Sequence, residues 1–122
     1  MSDARQWEDE LNGMIAAGNG FPAGFDRYYA DDVVMVEGDG QSFQGKEVNR
    51  KREMDYLSGV EQFHGAKLVA SAAQGDVGFS EWEFDATFKD GKRRVLREVA
   101  RRHWKDGVIV HERFYYDTKS MA

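Results

Sequence analysis

The chain has no cysteine and a single proline. The first absence excludes disulfide frameworks, thiolate metal sites and thiol nucleophiles, and it fits a reducing compartment. Nowhere does an apolar run approach the roughly 20 residues needed to cross a bilayer, and Met1-Ser2-Asp3-Ala4-Arg5 enters charged sequence without an apolar leader core. A cytoplasmic protein without a membrane partner is expected. A one-sided basic surface is lacking as well. The net charge is -5 with acids and bases interspersed, and the one basic run, Lys92-Arg93-Arg94 through Arg97, Arg101 and Arg102, divides between two strand faces beside Glu81, Glu83, Asp85 and Glu98. Phosphate recognition needs clustered cations, so no nucleic-acid partner is expected. Three scattered histidines offer no i, i+4 or His-x-His pair, and no P-loop or Gly-x-Gly-x-x-Gly follows a strand, so neither a metal nor a cofactor is expected.

What is present is enough for one domain over 1–122: 122 residues, with 3 Trp, 5 Tyr and 8 Phe to build an aromatic-rich core or cavity. Trp7, Leu11, Met14 and Ile15 form the apolar stripe of a helix over 3–17, opposite Glu8, Asp9 and Asn12. Gly18-Asn19-Gly20 ends it, and a short second helix runs through Phe25, Tyr28 and Tyr29. Val33-Val34-Met35-Val36 predicts a strand that turns at Gly38-Asp39-Gly40 toward Ser42 and Phe43. A third helix over 46–57 is expected to pack Val48, Met54 and Leu57 inward. From Gly59 to Asp117 the sequence predicts strands.

Asp90-Gly91 and Asp106-Gly107 are both two-residue hairpin signals. With Lys89 opposite Lys92, one sheet face carries Trp82, Phe84, Phe88, Arg97, Val99, Arg101, His103, Glu112, Phe114 and Tyr116. This face is expected to be a pocket wall, with Arg101 opposite Glu112. The other face is expected to be solvated through Glu81, Glu83, Asp85, Arg94, Glu98, Arg102 and His111. Its apolar exception, Leu96, Ala100, Trp104, Ile109 and Tyr115, predicts a homodimer interface. Gln74-Gly75-Asp76 leaves the register of the strand around Leu68 open.

Tyr28-Tyr29-Ala30-Asp31-Asp32-Val33-Val34, then Phe43-Gln44-Gly45-Lys46-Glu47, then Trp104 to Asp117 occur in an order that resembles the SnoaL-like branch of the nuclear transport factor 2 superfamily. That resemblance covers nearly the whole chain. It implies an α+β cone: a curved antiparallel sheet of the cystatin-like roll type, with N-terminal helices packed on its concave face and a cavity inside. It also implies frequent dimerisation through the outer sheet surface. Members include ketosteroid isomerase, polyketide cyclases, dehydratases, an epoxide hydrolase and non-enzymatic binding proteins, so the fold alone selects no function.

Glu37 stands five residues after the Ala-Asp-Asp that matches ketosteroid isomerase, where that enzyme's general base sits. Burial at a cavity mouth would raise such a carboxylate's pKa; the alternative is a turn residue facing water. The rest of that machinery has no match, because Leu11, Asn12 and Gly13 offer no tyrosine and the buried acid falls near Val99, Ala100 or Arg101. Arg101 is the expected oxyanion donor. Glu112 is either an acid or base tuned by Arg101 or half of a closed ion pair. His103 is either a proton shuttle or a hydrogen-bonded wall residue. The expected function is binding of a small hydrophobic or amphipathic molecule, with a cofactor-independent isomerisation, dehydration, cyclisation or hydrolysis, or else a non-catalytic ligand-binding or protein-interaction domain of the same fold.

Overall fold

The computed structural model describes residues 3–121; Met1 and Ser2, where the leader reading begins, lie outside them. Helix α1 spans Ala4–Ala16, and a turn over Gly20–Gly24 leads into the single-turn α2, Phe25–Tyr28. Strand β1 (Tyr29–Val36) turns into β2 (Ser42–Gln44), and α3 (Lys46–Ser58) precedes four long strands: β3 (Val60–Gln74), β4 (Val77–Phe88), β5 (Arg93–Lys105) and β6 (Val108–Tyr116). They form one sheet in the order β2-β1-β6-β5-β4-β3, curled but not closed. β1 pairs parallel to β6, and every other pair is antiparallel. The expected α+β cone is therefore present.

The core fills one end. Leu11, Phe25, Tyr28, Tyr29, Val33, Met35, Trp104 and Ile109 bury together. Phe25 stacks on Tyr29 at 4.7 Å, and Trp104 takes the edge of Tyr28 at 5.8 Å. Fully burying each large apolar side chain contributes about 1.5–3 kcal/mol. Trp104, Ile109 and Ala100 are thus interior residues, and the outer apolar patch expected from them does not form; of that set, Tyr115 alone is exposed.

The difference comes from one turn. Asp106-Gly107 is the two-residue loop that its sequence predicts, with both residues at positive φ (51° and 83°) and Lys105 opposite Val108. At Asp90-Gly91 the loop has three residues. Phe88 N–H donates to the Lys92 carbonyl, Gly91 alone takes positive φ (85°), and Thr87 pairs with Arg93. A slip of one residue moves every side chain of a strand to the other face. Leu96, Glu98, Ala100, Arg102 and Trp104 therefore face inward, while Arg97, Val99, Arg101 and His103 face out. A β-bulge between His103 and Trp104 shifts the next register by one again. Glu112, Phe114 and Tyr116 therefore remain inside as expected. Gln74 pairs with Val77 across Gly75-Asp76, and Leu68 pairs with Trp82.

Both long helices turn unexpected residues inward. On α1, Glu8 and Asn12 are buried with Ala4 and Leu11, because Arg102 and Ser80 of the sheet meet their polar atoms. Arg102 donates to Glu8 and Asn12, each at 2.9 Å, and to Glu112 at 2.7 Å. Ser80 donates to Glu8 and accepts from Asn12, and Trp104 Nε1–H donates to Glu8 at 2.8 Å. Gly78 makes room for this seat, since a Cβ there would stand 3.0 Å from the Glu8 Cγ. On α3, Val48, Met54 and Leu57 are exposed, and the inward face carries Asn49, Arg52 and Glu53 instead. Asn49 bonds the Phe43 and Gly45 carbonyls, and Arg52 reaches Glu37.

Removing Arg102 would strand Glu8 and Glu112 as buried, uncompensated charges. Arg102→Met is expected to lower stability by about 3–5 kcal/mol, as breaking one side of a buried ion pair does, read from the urea midpoint.

Candidate functional site

The inner surface of the sheet, the turn after β1 and the inward faces of α1 and α3 bring five glutamates to the concave side, and they divide into two kinds. Glu8, Glu37 and Glu112 are clamped. Glu37 Oε1 accepts from Arg52 at 2.7 Å and its Oε2 from the Tyr116 hydroxyl at 2.9 Å. Arg52 itself lies 3.6 Å over the Phe43 ring. Burial and the bond to Glu37 push the Tyr116 hydroxyl up to about 12, so it stays a donor. Glu112 accepts from Arg102 and from Tyr29 Oη at 2.7 Å. Burial pulls the Arg102 guanidinium down, but Glu112, Tyr29 and Glu8 outweigh it and hold the group charged well above its ordinary value.

Glu53 on α3 and Glu98 on β5 are of the second kind. No hydrogen bond or ion pair reaches either carboxyl among the described residues. Each is crowded on most sides and half-buried. Burial, then the charges of Glu112 and Glu37, raise Glu53 to about 7 against the pull of Arg52. Burial and Glu112 raise Glu98 to about 8 against Arg102, with Glu37 and Glu53 adding to the rise. Both exchange protons near neutrality, as an acid–base pair requires.

The apolar wall adjoins them. Trp82 lies opposite Glu98 in the β4–β5 ladder and stacks on Phe84 at 5.5 Å. Its Nε1–H is buried without an acceptor among the described residues. Toward the turn end, a cleft of about 330 Å³ opens between Tyr56, Gly59, Phe88, Lys89, Asp90 and Arg94. Glu53 lies one helical turn before Tyr56. Glu98 lies two pleats from Arg94 on the same face. This volume is at the small end of ligand sites, which run from about 300 to 1,000 Å³.

Of the residues expected at the site, the structure brings together Glu37, Glu112, Trp82, Phe84, Phe88, Phe114 and Tyr116. It does not bring in Arg101, His103, Arg97 or Val99, which the register slip carries to the outer face. Glu112 pairs with Arg102 rather than Arg101. Glu98 stands one residue before the stretch in which the resemblance places a buried acid. Glu8, Glu53, Glu98 and Arg102 were missed as site residues. Outside, Arg101 stands opposite Arg113 and His103 opposite His111. Burial and the neighbouring Arg101, His103 and Arg113 lower the His111 pKa.

A curled, unclosed sheet with helices packed on its concave side defines the class, and the family follows from the sequence. The model of the SnoaL-like domain matches residues 10–116, so the chain belongs to the SnoaL-like family. It is similar to a Mesorhizobium loti protein provisionally described as a SnoaL-like polyketide cyclase, at 27% identity and TM-score 0.82, covering 92% of this chain and 97% of that one. An NTF2-like protein of unknown function from Burkholderia pseudomallei superposes at TM-score 0.81 with 16% identity, over 99% and 95% of the two chains. A provisionally described hydroxylase from Streptomyces galilaeus does so at 0.77 with 13% identity, over 98% and 92%. No curated protein matches.

Glu98 carries a pH dependence whose sign follows from its raised pKa. The folded state holds the proton that the unfolded chain releases above the ordinary value of 4.5, so the stabilisation is complete below that value and is lost as pH rises through about 8. Glu98→Gln removes this loss. Its melting midpoint is expected to exceed that of the wild type at high pH by about 4 °C or more, the effect of ~1 kcal/mol in a domain this size. Parallel thermal melts at acid and alkaline pH read the difference.

Proposed function

We propose that the protein binds a small amphipathic molecule in the cone and catalyses a proton-transfer reaction on it without a cofactor: an isomerisation, dehydration, cyclisation or hydrolysis. The observation that carries this reading is the pair Glu53 and Glu98, two half-buried carboxyls on the concave side with no partner among the described residues and with proton affinities near neutral. Glu98 gives or takes the proton, and Glu53 holds the second one. Glu37, with both oxygens occupied by Arg52 and Tyr116, positions α3 against the sheet rather than acting as the base. Family membership and the resemblance of the fold to a protein described as a polyketide cyclase support a small-molecule site; the reaction rests on the two acids.

The outer face supports a second copy as partner. Arg101, Arg113, His103 and His111 on β5 and β6 form a basic patch beside the exposed Phe79 and Tyr115, while Glu83 and Asp85 of β4 are held by Arg97 and Arg93 and Glu81 has no such partner. A two-fold axis can lay Phe79 and Tyr115 of one protomer on those of the other, with Glu81 reaching the partner's basic patch.

Exchange of α-hydrogens for deuterium, followed by NMR in heavy water over a panel of small ketones, tests the reaction. The wild type is expected to accelerate exchange of at least one ketone that shifts its melting point. Glu98→Gln should lose about 100-fold, the scale of general acid–base catalysis, and Glu37→Gln less than about tenfold on the same scale. Exchange of every bound ketone at the buffer rate would instead leave a non-catalytic binding domain. Light scattering tests the pairing. Twice the monomer mass is expected for the wild type and the monomer mass for Arg101→Glu; a monomeric wild type at micromolar concentration rules the dimer out.

A further inference from the structure

The outer face of the sheet carries a cleft of its own. Its volume is about 510 Å³, and Gln74, Val77, Phe79, Arg101, His103 and His111 line it. The strand register brings these side chains together. Arg101 and His103 stand two residues apart on β5, and across the ladder they meet Arg113 and His111 of β6. On the other side Arg101 meets Phe79 and His103 meets Val77 of β4, with Gln74 of β3 opposite Val77. Facing residues of an antiparallel pair lie ~5 Å apart and alternate residues of a strand ~7 Å, so four basic side chains rise from one small patch.

No carboxylate answers them. Among the described residues no side-chain hydrogen bond or ion pair reaches Arg101, His103, His111 or Arg113. Arg113 leans over the Tyr115 ring, 5.1 Å from its centre, with its Nε–H buried and without an acceptor among those residues. Like charges directly opposite each other destabilise a ladder, and a cleft lined by one sign of charge focuses its field on whatever enters. In a chain of net charge -5, such a concentration of cations is local. We propose that this cleft binds a small phosphate monoester with a flat apolar body. The Arg101 guanidinium is a rigid fork for two oxygens, His103 and His111 add ring N–H donors, and Val77 and Phe79 receive the apolar body. Three basic groups suit a phosphate, which carries nearly two charges, better than a carboxylate, which carries one. This site goes beyond the reading of the concave side and does not rest on it. Phe79 and Arg101 belong also to the surface on which a second copy is proposed, where the partner's Glu81 would seek the same cations, so the anion and the second copy compete.

His111 gives the site a second readout. Burial and the charges of Arg101 and His103 from β5 and of Arg113 from its own strand lower its pKa. The neighbours from the other strands, Val34 of β1, Val77 and Phe79 of β4 and Gln74 of β3, carry no charge. A bound anion opposes the cationic field, so binding takes up a proton. Affinity for an anion of fixed charge therefore rises as pH falls through the range in which histidine titrates.

Titration calorimetry with phenyl phosphate, benzenesulfonate and the neutral benzenesulfonamide tests the site. At about pH 7.5 phenyl phosphate is expected to bind at least about tenfold tighter than the sulfonamide, and Arg101→Met to lose at least about tenfold of that affinity, the scale of one charge-assisted contact. Benzenesulfonate, whose charge is constant, should bind more tightly at about pH 6 than at about pH 8, and His111→Gln should flatten that dependence. Arg101→Met also removes the repulsion from Arg113, so its melting point without ligand is expected at or above that of the wild type, which separates lost binding from lost folding. Glu98→Gln should bind phenyl phosphate as the wild type does, whatever becomes of the reaction on the concave side. Binding that Arg101→Met leaves unchanged lies elsewhere and overturns the site. Equal affinity for phenyl phosphate and the sulfonamide overturns the anion. Sedimentation with vesicles carrying phosphatidic acid, without binding of phenyl phosphate, overturns the soluble ligand.

Discussion

Arg102 is the side chain on which the rest of the structure depends. It is almost completely buried, and it joins the first helix to two strands by donating to Glu8, Asn12 and Glu112. A guanidinium offers five donors in a rigid fork and cannot shed its charge, so wherever it is buried the chain must bring acceptors to it. That requirement explains the polar stripe on α1, the missing side chain at Gly78 and the Tyr29 hydroxyl beside Glu112. Buried ion pairs contribute little net stability over an apolar replacement of the same shape. Their effect here is to fix where α1 sits on the sheet, because a one-turn shift would leave Glu8 or Arg102 unpaired.

The same demand accounts for an inversion that apolar periodicity misses. Both long helices present polar side chains to the concave face, and α3 exposes Val48, Met54 and Leu57. A helix that packed on a dry core would bury those three residues. Here the concave face already holds Glu37, Glu98 and Glu112, so the helix side that can pair with it is Asn49, Arg52 and Glu53. The chamber selects the helix face, and the chamber is polar because β5 enters it with Glu98 and Arg102.

How much of this is legible in the sequence depends on the register of one turn. The order of helices and strands, the family resemblance and the inward Glu37, Trp82, Phe84, Phe88, Glu112, Phe114 and Tyr116 all follow from local patterns. What fails is β5. Asp90-Gly91 and Asp106-Gly107 are the same dipeptide, yet the first forms a three-residue loop in which Asp90 accepts from the Lys92 N–H and pairs with Arg94, and the second a two-residue loop. Arg94 stabilises the longer loop only once it lies on the inner face, a tertiary condition that no two-residue signal contains. The slip exchanges Arg101 and His103 for Arg102 and Glu98. β6 is right because the bulge cancels the slip. Glu8 and Asn12 were missed for a related reason, since a helical stripe is assigned by apolarity and their partners lie more than sixty residues away.

The division of the glutamates into clamped and free groups is what turns a polar interior into a site. Were all five paired, the chamber would be a closed network with no chemistry to offer; were none paired, burial would force most of them to hold protons. Arg102 and Arg52 clamp three carboxyls, and the charges of Glu112 and Glu37, added to burial, lift Glu53 and Glu98 toward neutrality. The scaffold and the site are therefore one electrostatic system. Pairs of titratable groups pushed apart by their surroundings mark acid and base assignments. In this protein the clamp that positions the first helix also bears on the proton affinity of the two acids left without partners.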